Sequence, residues 1–291
     1  VSVGSEMCIR DRFNVGIEMQ FLNRRLTVDA DYYHDKTIDL VNDVSLSQTS
    51  GFSSYKDNMG EVLNQGFELQ VRGEVFRNRD WLVALWGNMA HNKNKIVKIS
   101  DSQRAYNQRV KDFYQKGIVD MNYNGYEPQY AVPISQYEEG QSLTSIWAVK
   151  SLGIDPTTGK EIFLNRDGSV SDTWNATQEV VVGNTEPKFN GSVGFNLAYK
   201  AWSLFAAFQY EWGGQEYNQT LVDRVENARI QYQNVDLRVL TDRWKQPGDI
   251  AQFKDIKNAD NVTMPTSRFV QDKAYLRLSA LTLSYDFNRE W

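Results

Sequence analysis

The chain has little of what most catalytic centres and most membrane proteins rely on. Its 291 residues include one cysteine, Cys8, and two histidines, His34 and His91. A disulfide within the chain is therefore impossible, and a Cys/His zinc site lacks ligands. No segment approaches the ~18 consecutive apolar residues of a membrane helix. The longest apolar runs are residues 81–86 and 204–208, and the mean hydropathy is −0.56. Basic residues do not predominate: 32 Lys and Arg face 37 Asp and Glu, for a net charge of −5. With no basic stripe, nucleic acid is not an expected partner. Prolines number six, all in segments that read as loops, as expected where strand ladders cannot spare a donor.

What the chain has is aromatic residues, 15 Tyr, 14 Phe and 8 Trp, and alternation. Phe67, Leu69, Val71 and Val75 fall on one side of a segment whose other side carries Glu68, Gln70, Arg72 and Glu74. Successive side chains of a strand point to opposite faces, so this segment has an oily face and a charged one. The pattern recurs. Phe13, Val15, Ile17, Met19 and Phe21 alternate with polar residues, then Leu26, Val28, Ala30 and Tyr32. Trp81, Val83, Leu85 and Met89 keep phase, although their other face is also apolar at Leu82, Ala84 and Trp86. Val193, Phe195, Leu197 and Tyr199 follow, then Leu204, Ala206, Phe208 and Tyr210. In the last segment the phase slips between Leu278 and Leu281, which predicts a bulge or a change of burial.

The connections alternate short and long: residues 23–25, 42–58, 77–80, 92–187, 200–201 and 213–268. Residues 92–187 are too many for an ordinary connection and should hold structure of their own. A hairpin is expected there, pairing residues 145–150 with 161–164 around Asp155-Pro156-Thr157-Thr158-Gly159. Long strands with oily outer and charged inner faces, joined by alternating short turns and long loops, describe an up-and-down outer-membrane β-barrel. Hydropathy misses such strands because every second residue is polar.

Residues 1–12 read differently from the rest. Gly4 to Asp11 back-translate as GGC-TCG-GAG-ATG-TGT-ATA-AGA-GAC, which looks like a sequencing-library adapter read as coding sequence. Residues 1–12 are therefore expected not to be native, with the native part at 13–291. They also lack the apolar core and small-residue cleavage site of a signal peptide.

Several ordered segments resemble the SusC/RagA family of TonB-dependent outer-membrane transporters from Bacteroidota. They are Asn58-Met59-Gly60-Glu61-Val62-Leu63-Asn64-Gln65-Gly66-Phe67-Glu68, Gly153-Ile154-Asp155-Pro156-Thr157-Thr158-Gly159 and Gly183-Asn184-Thr185-Glu186-Pro187-Lys188-Phe189. Asp242-Arg243-Trp244-Lys245-Gln246-Pro247-Gly248-Asp249 and Ser267-Arg268-Phe269-Val270 with Tyr275-Leu276-Arg277-Leu278 complete the set. Each is weak alone; five in order are specific. The resemblance implies an all-β fold, an antiparallel up-and-down transmembrane β-barrel fragment. About seven long strands would form an open curved sheet with long extracellular loops. The family's barrels have about 22 strands and an N-terminal plug, so residues 13–291 would be an internal piece of the C-terminal part, with the plug and the final strands absent. It further implies TonB-dependent import of glycans or oligopeptides, a SusD-like lipoprotein lid over the loops, action of the TonB complex through the plug, and a location in the bacterial outer membrane. No enzymatic step and no cofactor is implied.

Other motifs have plain readings. Asn165-Arg166-Asp167-Gly168 lacks the downstream Glu of a calcium loop and reads as a turn. Gly213-Gly214 should mark a strand end, and His34 has no nucleophile pattern near it. Asp29, Asp31 and Glu68 suit a hydrated lumen, with partners on neighbouring strands, better than a glycosidase pair. Arg243-Trp244 reads as a loop anchor rather than a cation–π clamp for ligand. For substrate or lid contact the loop aromatics Tyr126, Tyr137, Trp147, Trp174 and Tyr217 are the candidates. The alternative to a transporter is a secreted, soluble β-rich carbohydrate-binding module, and a weaker one is a glycoside hydrolase. A transporter leaves Phe67, Leu69, Val71, Val193, Phe195, Leu197, Leu204, Ala206 and Phe208 as one exposed apolar band; a sandwich buries them between two sheets.

Overall fold

The computed structural model describes residues 9–39, 41–45, 54–58, 60–124, 127–258 and 261–287, with 41–45, 54–58 and 122–124 described by backbone alone. In chain order the strands begin with β1 (Ile9–Phe21), β2 (Leu26–Ile38), β3 (Val41–Ser45), β4 (Ser54–Asn58), β5 (Glu61–Arg77) and β6 (Trp81–Lys98). Helix α1 (Asp101–Asn124) follows, then β7 (Ser145–Ile154), β8 (Glu161–Leu164), β9 (Val170–Ser171) and β10 (Glu179–Asn184). The chain ends with β11 (Phe189–Tyr199), β12 (Trp202–Tyr217) and β13 (Val270–Tyr285). Contacts divide it into one unit of residues 1–98, 186–214 and 272–291, and a second of residues 99–185 and 215–271.

The first unit is a seven-stranded sheet in the order β1-β2-β5-β6-β11-β12-β13. Its paired neighbours run antiparallel, so the chain passes up and down through the sheet. Short turns close one end. In the β5–β6 turn, Asn78 Oδ1 accepts from the amides of Asp80 and Trp81 at 2.9 and 2.7 Å, a local bond that favours a reversal. At the other end the chain leaves on long excursions; the first contains the β3–β4 hairpin.

Register converts alternation into rows. On the outward face Ile17, Ala30, Leu69, Met89, Gly191 and Tyr210 share a row. So do Met19, Val28, Val71, Gly87, Val193 and Phe208. On the opposite face Glu18, Asp29, Gln70, Asn88, Ser192 and Gln209 line up. A register shift between Glu74 and Phe76 makes Val75 an extra, bulged residue and gives its outward place to Phe76, opposite Val83. The outward face is open: Phe67 is 37 % exposed, Val193 41 % and Leu85 51 %. Of the nine residues expected in an apolar band only Ala206 is buried, a methyl sunk between larger neighbours. A sandwich core would bury all nine.

The strands are longer than the alternation suggests, up to the 18 residues of β6. Beyond the band, β5 and β6 continue through polar residues on both faces. Asn94 donates to Asn64 at 2.7 Å and Lys36 pairs with Glu61 at 2.9 Å. Apart from the buried cross-strand pair Val62 and Ile96, no hydrophobic period marks this ladder-held stretch. Gly213-Gly214 likewise does not end its strand. β12 runs on to Tyr217, with Gly213 at a φ of +79° where its pairing with β11 stops.

The second unit has a four-stranded sheet, β10-β7-β8-β9, with the expected hairpin at its centre: Ile154 pairs with Glu161 and Lys150 with Leu164. Helix α1 was not expected. A capping box starts it: Gln103 N–H donates to Ser100 Oγ at 3.2 Å and Ser100 N–H to Gln103 Oε1 at 3.3 Å. Its Tyr106, Val110, Phe113, Tyr114, Ile118 and Met121 recur at helical spacing and pack with Tyr130, Val149, Phe163 and Trp174. A second cluster gathers Leu221, Val222, Val225, Val239, Phe253 and Phe269.

Candidate functional site

The sheet's outward band ends in aromatic rings on both sides. At the long-excursion end Phe67, His91, Phe189 and Trp212 form a chain of rings, with centroids 5.5 to 6.5 Å apart. At the short-turn end Trp81 lies 4.4 Å from Tyr199, and Trp202 lies 4.8 Å from Tyr285. β11 holds one ring of each belt, Phe189 and Tyr199, at its first and last residues. Those ends are about 33 Å apart along a strand. At the 35–45° tilt of membrane barrels this projects to about 23–27 Å, against an apolar band of about 25 Å in such barrels.

The inward face is charged and open. Asp31 pairs across with Glu68, and Asp29 with Gln70. These residues border a cavity of about 340 Å³ that Asn88 also lines. The expectation that Asp29, Asp31 and Glu68 take side-chain partners on neighbouring strands is corrected: among the described residues none of the three carboxylates has a side-chain hydrogen bond or an ion pair, and their strand partners meet them through the backbone ladder. The lumenal row offers them amides and other acids rather than cations.

In the second unit the resemblance motifs meet. Trp244 Nε1–H donates to the Pro156 carbonyl at 2.8 Å, and Gly248 N–H donates to the same oxygen at 2.8 Å. The Trp244 ring lies against Gly159, where an added Cβ would come within 2.6 Å of it. Arg243 is buried and donates to the carbonyls of Val225, Glu226 and Lys254. It is thus the anchor the sequence suggests. Arg268 bridges Glu161 at 2.8 Å and Glu226 at 2.7 Å. Lys254 Nζ–H donates to Asn227 Oδ1 at 3.0 Å and Thr263 Oγ1 at 2.8 Å. Burial pushes the Glu226 carboxyl up, but Arg268, Lys254 and Arg243 outweigh it and hold it below its ordinary range. Burial, opposed by Glu226, brings Lys254 down to about 8. The Glu179 carboxyl has weaker support: Arg166 donates to the Glu179 carbonyl at 3.0 Å rather than to its carboxylate, and the charges of Lys111 and Arg166 lower it only in part. Burial raises it to about 7, against a hydrogen bond from Gln136.

The loop aromatics fall in different surroundings. Tyr126 lies outside the described residues. Trp147 is 3 % exposed within β7, and Trp174 is 8 % exposed, donating its Nε1–H to the Pro265 carbonyl at 2.9 Å. Tyr137 is half-buried with its ring 5.7 Å from Tyr106, and Tyr217 is half-buried against Phe269 at 5.9 Å. They do not converge on one surface. Asn165-Arg166-Asp167-Gly168 is the turn from β8 to β9, closed by Gly168 N–H on the Asn165 carbonyl at 3.0 Å.

TonB-dependent receptor P3 of Formosa agariphila is 26 % identical over 285 residues, which cover 94 % of this chain and 27 % of that receptor. In structure, the RagAB peptide importer in its closed-closed state superposes with a TM-score of 0.71 at 23 % identity, over 95 % of this chain and 28 % of that one. The chain is SusC/RagA-like. TonB-dependent receptor SusC of Bacteroides thetaiotaomicron adds 32 % identity over 89 residues, 30 % of the chain and 9 % of SusC. No family model matches. This SusC/RagA-like chain spans about a quarter of the length of the relatives it matches, and its sheet corresponds to a section of barrel wall.

Proposed function

We propose that the chain is part of the wall of an outer-membrane importer that takes up glycans or oligopeptides with energy delivered by the TonB complex. The observation that carries this reading is the exposed outward band, closed at both ends by aromatic rings at the spacing of a membrane's apolar layer. The short turns then face the periplasm and the long excursions the exterior. A SusD-like lipoprotein would close over those excursions. Tyr126, Tyr137 and Tyr217 are the ring-bearing residues proposed for substrate or lid contact, and the buried Trp147 and Trp174 support the loops from within. Residues 1–12 are proposed not to be native; a nucleotide record with other codons across Glu6 to Asp11 would sink that idea.

The test is fractionation and uptake with the full-length gene. The product should reach the outer membrane, migrate faster unheated than heated on a gel, and lose uptake when TonB is deleted. A periplasmic or secreted product would overturn the reading.

A further inference from the structure

We propose that the outward face, just beyond the aromatic rings at the long-excursion end, seats the phosphate headgroup of an anionic membrane lipid between Lys93 and Lys95. The proposal rests on the importer reading and adds a lipid partner to it.

Side-chain alternation along the last turns of β6 sets this face. Asn92 and Asn94 point inward, where Asn92 accepts from the Tyr33 hydroxyl at 2.9 Å and Asn94 donates to Asn64 at 2.7 Å. Lys93 and Lys95 therefore point outward with His91, whose ring belongs to the aromatic chain. Lys93 stands opposite Gln65, and Gln65 opposite His34. One row further out Lys95 stands opposite Leu63, and Leu63 opposite Lys36. Both lysines are exposed, and among the described residues neither has an ion pair. Glu61, which ends this face of β5, is already held by Lys36 at 2.9 Å. Asp11, opposite Lys36, belongs to the segment proposed not to be native.

Depth selects the partner. His91, Lys93 and Lys95 follow one another at steps of two residues, about 7 Å along a strand. At the 35–45° tilt of membrane barrels, Lys93 lies about 5 Å and Lys95 about 10 Å beyond the ring row. The headgroup layer on each side of a bilayer's apolar core is about 5–8 Å thick. A lysine's flexible stem lets its ammonium lean through several ångströms of that layer, about the length of the stem itself. Both ammonium groups thus reach the level of lipid phosphates rather than the acyl chains below. A phosphate there accepts from the two ammonium groups and from the Gln65 amide, while the acyl chains of the same lipid run down over Phe67 and Leu69. A zwitterionic headgroup carries its own cation, which the lysines repel, so the expected lipid has net negative charge. The opposite end of the sheet is arranged differently: Arg77 is paired with Glu74 at 3.3 Å, and Asp80 lies in the same turn.

The experiment uses the purified full-length receptor, delipidated in detergent, with folding of each variant checked by heat-modifiable gel mobility. The probes are dioleoyl phosphatidic acid, phosphatidylglycerol and phosphatidylcholine, added singly and counted on the protein by native mass spectrometry. The two anionic lipids should bind more tightly than phosphatidylcholine. Replacing both lysines, Lys93→Gln with Lys95→Gln, should weaken the anionic lipids about tenfold and leave phosphatidylcholine unchanged. Lys93→Arg with Lys95→Arg should keep the wild-type preference, as should Lys116→Gln, which removes an exposed lysine of α1. Excess inorganic phosphate should not displace the anionic lipids. The seat is overturned if the three lipids bind alike or if the glutamine pair keeps the wild-type preference. Displacement by inorganic phosphate would also overturn it, as the lysines would then serve a soluble anion. Any of these results with uptake intact sinks the lipid seat and leaves the importer reading standing; failure to reach the outer membrane sinks that reading instead.

Discussion

Trp244 is held at its ring face by Gly159 and at its indole N–H by the Pro156 carbonyl. Gly159→Val should dislodge the ring and loosen both loop segments, read as faster proteolysis of residues 145–164 and 240–255 in the full-length receptor. Arg268 matters differently. Arg268→Met would leave Glu226 fully buried without its main counter-charge, and breaking a buried pair from one side costs about 3–5 kcal/mol. The loop unit should then exchange amide hydrogens far faster than in wild type. Glu179 gives a pH dependence of known sign. Its carboxyl is raised from 4.5 to about 7 in the folded unit, so the folded state holds a proton the unfolded one has lost. Stability should therefore fall as pH rises from about 4.5 to 7, by about 3 kcal/mol in all. Glu179→Gln should remove that slope, and exchange rates measured between pH 5 and 8 will show whether it does.

Strands were legible wherever one side faced apolar surroundings and the other water. β5 could be read from Phe67 to Val71 because its two faces differ. Its first six residues could not, since Asn64 and Gln65 lie in a stretch held by ladders and amide pairs. Helix α1 was legible and missed: the Ser100–Gln103 capping box and the Tyr106-Val110-Tyr114 spacing are both in the sequence, masked by the many polar residues between them. The loop pins were read only as resemblances, because Trp244 and Pro156 are far apart in sequence and no local pattern announces their contact. At this scale the outward rows make a sharp prediction. Val193→Arg, near the middle of the band, should cost about 2–4 kcal/mol and lower the heat-modifiable, folded fraction in the outer membrane. Gln70→Arg on the inward face should leave that fraction unchanged.

Across the whole molecule the sheet's outermost strands, β1 and β13, each have one neighbour among the described strands. Unpaired strand edges are costly in lipid and sticky in water. Expressed alone, residues 13–291 should aggregate rather than yield a monomeric, cooperatively melting protein, which sedimentation and calorimetry would reveal. The loop unit has another consequence. It is assembled from two stretches, residues 99–185 and 215–271, separated in the gene by the β11–β12 hairpin, and Glu161 on one is charge-matched to Arg268 on the other. Neither stretch is a self-sufficient cassette. A chimaera that borrows one of them from a relative inherits half of a lock, so specificity transplanted between such receptors must travel as a matched pair.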